Sequence, residues 1–375
     1  MIPFNKPFLT GKELDYISEA VASGKISGDG DFSKKCQAFF EKRFNLQKTL
    51  LTTSCTDALE MAAILCDIQL GDEVIAPSYT FVSTVNAFVL RGAKIVFADS
   101  NDNNPNIDPD QIEELITPQT KAIVPVHYAG VACDMGRIMS IADHSNVRVV
   151  EDAAQAIDSY CDGKELGSFG SLSTFSFHET KNVIAGEGGL LAINDTSLIR
   201  RAEIIREKGT NRSEFFRGEI DKYGWVDIGS SFLPSEIVSA FLYAQLEQLD
   251  QIQSQRCRLW NAYYEGLLHL AKSGHLILPC LPSYATNNAH MFYVLCENSG
   301  VRDSLIQFLK KKGIMAVFHY QSLHQSEYYR SRHDGRPLRN ADRYTGTLLR
   351  LPMYYELSIE QVEQVCSAID SFFCG

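Results

Sequence analysis

The chain has 375 residues, 45% hydrophobic and 22% charged, an ordinary make-up for a folded globular protein and far from disordered, collagen-like or coiled-coil compositions. With 35 Lys+Arg against 46 Asp+Glu the formal net charge is −11, which argues against nucleic acid as a partner, because that binding is driven by basic side chains releasing phosphate counterions. No apolar run approaches a membrane span, the start (MIPFNKPFLTGKELDY) lacks the apolar stretch of a signal peptide, and ten scattered cysteines without a CxxC pair read as free thiols, so a cytoplasmic protein without membrane contact is expected.

Along the chain, short apolar runs alternate with amphipathic or turn-delimited segments. KTLLT precedes DALEMAAILCDI, DEVIAP precedes FVSTVNAFVLRG, AKIVFAD precedes PDQIEELI, TKAIVPVHY precedes MGRIMSIADHS, and VRVVED follows. That rhythm predicts an α/β fold with a mostly parallel sheet and helices on both faces, and the nearly continuous apolar strands fit burial on both sides. LSTFSF and GGLLAIN then follow as two close strand candidates, with a helix predicted around residues 197–208. Residues 209–233, rich in Gly, Arg, Ser and aromatics, lack periodicity and read as a long loop. Apolar residues at helical spacing over 235–268 predict one long helix or two in sequence, and AHMFYVLC, DSLIQFLKKKG, IMAVFHY and SIEQVEQVCSAIDSFF predict a smaller α/β unit. The expected division is residues 1–235 for a large domain and 236–375 for a small one, with the N-terminal segment a candidate to pack on the latter.

Three places carry candidate chemistry. In VRVVEDAAQAID a strand runs into Asp152 and Gln155, at the carboxyl end where ligands of α/β sheets sit; a helix N-cap is the plainer alternative. In LSTFSFHETKNVIAGEGG a strand is followed by Ser176, His178, Lys181 and a glycine-rich turn, so Lys181 is either an exposed loop lysine or an amine held near a cofactor aldehyde. A zincin motif would need a second histidine where Asn182 stands, and no metal is expected. In LLTTSCTDALEMAA a strand ends at Ser54, Cys55 and Thr56 and opens a helix, which caps that helix and also makes an anion site. Together a carboxylate, an amine and a phosphate-type helix start are the three anchors of pyridoxal 5′-phosphate (PLP).

The segments TSCTDALEMA, PSYTFVSTVNAFVLRGAKIVFAD, VPVHYAG, VVEDAAQA, FSFHETKN, GEGG and HYQSLH resemble, in order and over nearly the whole chain, the DegT/DnrJ/EryC1/StrS family of nucleotide-sugar aminotransferases. The resemblance implies a fold-type I aminotransferase architecture with PLP, and pyridoxamine phosphate as its intermediate form. It implies that Lys181 forms the Schiff base, that Asp152 pairs with the pyridinium nitrogen and Gln155 with the ring hydroxyl oxygen, that Ser54, Cys55, Thr56 and Ser176 hold the phosphate, and that Phe81 stacks on the ring. Longer strings, among them IPFNKP, HYAGVACDM, AEIIREKGTNRSEFFRGEIDKY and NAHMFYV, are similar to a branch that moves an amino group from glutamate to the 4-keto carbon of a dTDP-6-deoxy sugar.

Members of the family are similar in being homodimers with the active site at the interface. That implies roles for Arg212, Arg217, Lys222, Tyr223 and Trp225 on a nucleotide diphosphate, and for His319, Tyr320 and His324 near the sugar. Three departures stand out. Cys55 replaces a glycine of many members, Ser322 replaces a proline, and within residues 227–233 Ser231 and Leu233 stand where the family has Asn and Arg, leaving Ser231 to reach the neighbouring subunit's phosphate. A dehydratase on the same fold would carry His at position 181. A non-catalytic binding protein would have lost one of Lys181, Asp152 and Gln155, all of which are present.

Overall fold

In the computed structural model, which describes residues 1–374, α1 (Glu13–Ala22) and α2 (Asp31–Arg43) precede the first strand. The main sheet holds β1 (Lys48–Thr52), β2 (Glu73–Pro77), β3 (Lys94–Ala98), β4 (Thr120–Ile123), β5 (Arg148–Asp152), β8 (Leu172–Ser176) and β9 (Gly189–Ile193); β6 (Tyr160–Cys161) and β7 (Lys164–Glu165) form a small hairpin beside it. Its order is β1-β9-β8-β5-β4-β2-β3, with parallel pairing from β3 through to β8 and β9 antiparallel to both its neighbours. Helices α3 (Cys55–Leu65), α4 (Ser83–Val89), α5 (Pro109–Leu115), α6 (Met135–Ser145) and α7 (Ile199–Arg206) provide the crossovers and covers.

Successive strand residues feed two different cores, which is why the strands read as unbroken apolar runs. Leu50, Val74, Ile95, Ala122, Val150 and Leu191 face one cluster, whereas their chain neighbours Leu51, Ile75, Val96, Ile123, Val149 and Leu190 face another. Because β1, β2, β4, β5 and β8 run the same way, their carboxyl ends collect at one sheet edge.

The segment expected as a long loop, 209–233, instead contains α8 (Arg212–Phe216) and is tied back by bridges Thr210↔Trp225 and Glu207↔Ser231. The helical stretch after it is two helices, α9 (Glu236–Leu246) and α10 (Leu249–Lys272). α9 packs on α1 and α2, with Glu236 accepting hydrogen bonds from the amides of Gly30, Phe32 and Ser33 at 3.0, 2.8 and 3.2 Å.

A second, antiparallel sheet has the order β10-β11-β13-β12, from β10 (Leu276–Ile277), β11 (Tyr293–Cys296), β12 (Val317–Phe318) and β13 (Leu348–Arg350). With α10, α11 (Ser299–Lys311), α12 (Arg339–Thr347) and α13 (Ile359–Cys374) it encloses a third cluster centred on Leu259, Tyr263, Phe292 and Leu349. The N-terminus joins this unit: Ile2 bridges Ile314, and the Met353 amide donates to the Phe4 carbonyl at 3.2 Å. No helix among the described residues is long and apolar enough to cross a membrane.

Candidate active site

The carboxyl edge of the main sheet and the β12–β13 face of the second sheet enclose a cavity of about 910 Å³, within the range of small-molecule sites. Strand alternation divides the Glu151-Asp152 pair. Glu151 points away and is fully buried, accepting from the amides of Gly167, Phe169 and Gly170 at 2.8, 2.7 and 2.8 Å and lying 3.0 Å from His127 Nε2. Asp152 points into the cavity. Its Oδ2 accepts from Thr84 Oγ1 at 2.7 Å and its Oδ1 from the Ala154 amide at 3.1 Å, while its backbone is held by Pro125 and His127. Glu151 is thus a structural carboxylate and Asp152 a presented one.

The start of α3 forms a second wall. Ser54 caps the helix by accepting from the Asp57 amide at 3.0 Å, which leaves the amides of Cys55 and Thr56 in the first turn without helical carbonyls. Thr56 Oγ1 donates to Ser83 Oγ at 2.9 Å. Gly189 explains the end of the GEGG string: a Cβ there would collide with the Ser54 carbonyl and the Cys55 amide, so only glycine lets β9 pass so close beneath the helix start. Burial, reinforced by Asp152, pushes the Cys55 thiol up to about 12 and keeps it neutral.

Lys181 enters from the turn after β8, where its amide donates to the His178 carbonyl at 2.9 Å. Burial lowers its basicity, with Arg350 adding to the effect and Cys55 and Asp152 opposing it, so the neutral amine is more accessible than in a surface lysine.

Opposite stands an aromatic wall. Tyr320 has φ 24°, a backbone conformation tyrosine rarely adopts, and its ring centroid lies 3.5 Å from that of His319 and 6.1 Å from that of Phe81. Gln155 accepts from the Ala129 amide at 2.7 Å and donates to Tyr320 OH at 3.0 Å, leaving its second Nε2 hydrogen for a ligand. Burial keeps His319 and His290 neutral well below their ordinary range.

Ser54, Cys55, Thr56, Phe81, Asp152, Gln155, Ser176, Lys181, His319 and Tyr320 therefore all line one cavity. Arg212, Arg217, Lys222, Tyr223, Trp225 and Ser231 do not line it within this chain. Arg217 pairs with Glu203 at 2.8 Å and Glu219 at 2.7 Å, Arg212 lies 3.9 Å from Glu207, and Trp225 is 82% exposed with its indole N–H donating to the Asp227 carbonyl. Ser231 is exposed, its backbone bridged to Glu207. His324 is buried against Ser78 Oγ at 2.7 Å and is likewise not among the lining residues.

Sequence reasoning missed Thr84, Tyr128, His290 and Arg350. Tyr128 OH lies 2.6 Å from His319 Nδ1 and Thr84 fixes Asp152. Thr84, Tyr128 and His290 had a local signal, their places in the strings PSYTFVSTVNAFVLRGAKIVFAD, VPVHYAG and NAHMFYV; Arg350 depends on long-range packing.

The residues fit PLP: a fixed carboxylate, a lysine of depressed basicity and free helix-start amides over a glycine converge on one cavity, as a PLP-dependent enzyme requires. Residues 7–370 match the DegT/DnrJ/EryC1/StrS aminotransferase family, and the chain belongs to that family, whose aminotransferases use PLP. Among similar solved structures are the aminotransferase TlmJ from Streptoalloteichus hindustanus (28% identity, 99% of this chain and 98% of that one, TM-score 0.90) and S. venezuelae DesV (28%, 99% and 98%, 0.90). A candidate sugar aminotransferase, Spr1654 of Streptococcus pneumoniae, is similar in its PLP form (24%, 99% and 98%, 0.90) and shares the fold.

Proposed function

We propose that this enzyme transfers an amino group from glutamate to the 4-keto carbon of dTDP-4-dehydro-6-deoxy-D-glucose, giving dTDP-4-amino-4,6-dideoxy-D-galactose for surface polysaccharide synthesis. The convergence of Asp152, Lys181 and the α3 start on one cavity carries the aminotransferase half of this reading. The similarity of the longer sequence strings to one branch of the family supports the substrate half.

PLP, when bound, supplies an electron sink for the pair released at the carbon bearing nitrogen. Asp152, oriented by Thr84 and the Ala154 amide, holds the proton on the ring nitrogen. The Cys55 and Thr56 amides take the phosphate at the positive end of α3, with Ser54 and Ser176 beside them. Lys181, once free, carries the proton at Nζ from the donor's α-carbon, a step served by an amine whose basicity burial has lowered. Phe81, at the cavity mouth and 56% exposed in the single chain, would stack on the ring when PLP is bound.

The same reading makes the protein a cytoplasmic homodimer with two domains, 1–235 and 236–375. The exposed Phe81, Phe216, Tyr223 and Trp225 support a second copy over the cavity mouth, and Lys222 and Arg212 would meet the nucleotide there. The test is incubation of purified enzyme and glutamate with each 3-keto and 4-keto dTDP or UDP sugar, reading product stereochemistry from proton coupling constants. The galacto 4-amino sugar is expected; the gluco epimer or a 3-amino sugar would replace this assignment with another from the same family.

A further inference from the structure

His324 belongs to the HYQSLH string, yet it stands outside the cavity that its sequence neighbours Leu323 and Ser326 line. It is buried in the single helical turn Leu323–Gln325, between β12 and α12. What it touches there is Ser78, the residue directly after β2, itself fully buried and 246 residues away in the chain.

Three contacts join the two segments. The Leu323 amide donates to the Ser78 carbonyl at 2.9 Å, the His324 amide donates to Ser78 Oγ at 3.2 Å, and His324 Nδ1 lies 2.7 Å from the same Oγ. The other ring nitrogen decides the direction of that last bond. Nε2 faces Asp342 Oδ1 at 3.5 Å, so the imidazole hydrogen belongs on Nε2 and the Nδ1 lone pair accepts from the Ser78 hydroxyl. Burial lowers the basicity of His324, with His333 adding to the effect and Asp342 and Asp99 opposing it, and a neutral ring keeps Nδ1 an acceptor.

Ser78 opens the loop that carries the ring-side residues of the cavity. Tyr79 OH donates to the His319 carbonyl at 3.1 Å, a second tie from this loop to the segment after β12. Thr84 has one hydroxyl hydrogen and gives it to Asp152 Oδ2 at 2.7 Å, so in the 2.9 Å contact between the two threonines Thr80 is the donor. A relay of hydroxyls therefore runs from Thr80 through Thr84 to the carboxylate, and Phe81 sits within the same loop at the cavity mouth.

We propose that His324 is a positioning residue for the cofactor site: by accepting the Ser78 hydroxyl it latches residues 78–84 to the segment after β12, and so sets Phe81 and the Thr80–Thr84–Asp152 relay from outside the cavity. A direct contact with the sugar would need His324 in the cavity, where it does not stand. The proposal rests on Asp152 being the ring nitrogen's counter-charge, and its test separates the two.

PLP affinity of the full-length protein is read by fluorescence quenching, and amide hydrogen exchange over 78–84 by mass spectrometry with and without PLP. H324Q, which removes the acceptor at the Nδ1 position, and S78A, which removes its donor, should each weaken PLP by about tenfold and speed exchange over 78–84, while α10 exchanges as in wild type. The double variant should lose about as much as the worse single one, since either change alone opens the latch. H324N carries its side-chain oxygen near the Nδ1 position and should return PLP affinity to within about threefold of wild type, which a general loss of packing would not allow. Should H324Q fail to fold, S78A and H324N carry the decision. Unchanged affinity and exchange in folded H324Q or S78A, losses that multiply in the double variant, or H324N impaired by tenfold or more overturns the proposal. If Asp152→Asn leaves PLP affinity unchanged, the counter-charge reading falls, while faster exchange over 78–84 in H324Q still supports the latch.

Discussion

The cavity floor and the 209–233 segment both carry charged groups suited to an anionic, cofactor-dependent substrate, and the fold treats them in opposite ways. On the floor, Asp152 ends β5 with its backbone pinned by sheet pairing and Lys181 is held by the turn after β8, so their heads are presented to the cavity. In the segment, Arg217 is neutralised by Glu203 and Glu219 and Arg212 leans on Phe216, 5.0 Å from its ring centroid. Composition marks both regions as basic or reactive; only local pairing tells which charge is available to a ligand.

That contrast can be broken from either side. Lys181→Ala should abolish the lysine-linked visible absorbance of the cofactor and lower kcat/KM by about 10⁴-fold or more, with the fold intact by circular dichroism. Asp152→Asn should cost about 10²- to 10³-fold in kcat, since the proton on the ring nitrogen loses its counter-charge, while Tm moves little. Its neighbour Glu151→Gln should show the reverse pattern, a loss of about 2–4 kcal/mol in stability by denaturant unfolding, because the amide keeps one acceptor oxygen and turns an NH2 toward the two buried donors of the other, either the Phe169 and Gly170 amides or the Gly167 amide and His127.

A smaller effect concerns pH. Burial keeps His290 and His319 neutral below the usual 6.5, so below that value the unfolded chain binds more protons than the native one. Stability is therefore full above about pH 6.5 and falls on acidification, by up to about 1.4 kcal/mol per pH unit for each histidine. Tm followed from pH 7.5 to 5 should drop, and the drop should be shallower in His319→Gln. An equal slope in the variant contradicts the burial argument. The smallest effect is expected for Arg217→Ala, whose kcat/KM should stay within about threefold of wild type because its charge is already paired at the surface.

Much of this was readable in the sequence. The seven strands of the main sheet were readable because burial on both faces leaves unbroken apolar runs, and Asp152 and Lys181 because they lie at or just beyond the ends of such runs. α2 was not, since Lys34, Lys35 and Lys42 interrupt a stripe whose buried members are Phe32, Cys36 and Phe40. The hairpin β6–β7 and the strand β10 span two residues each, too short for any period to show. Arg350 reaches the cavity only because β13 pairs with β11 and β12, segments more than thirty residues away in the chain. Nothing in the string RLPMYYEL carries that information. The −11 net charge likewise says nothing of where positive charge is available; the fold places an arginine, Arg350, in the cavity.

The central claim is that Lys181 is the cofactor's attachment point within a cradle of Asp152 and the α3 start. Reducing the PLP-loaded enzyme with borohydride and mapping peptides by mass spectrometry tests it most directly. The account predicts the cofactor's mass on Lys181 in wild type and, for Gly189→Ala, whose added Cβ intrudes on the Ser54–Cys55 backbone, the same site at lower occupancy. Label on another lysine, or full occupancy in Lys181→Ala, would contradict it.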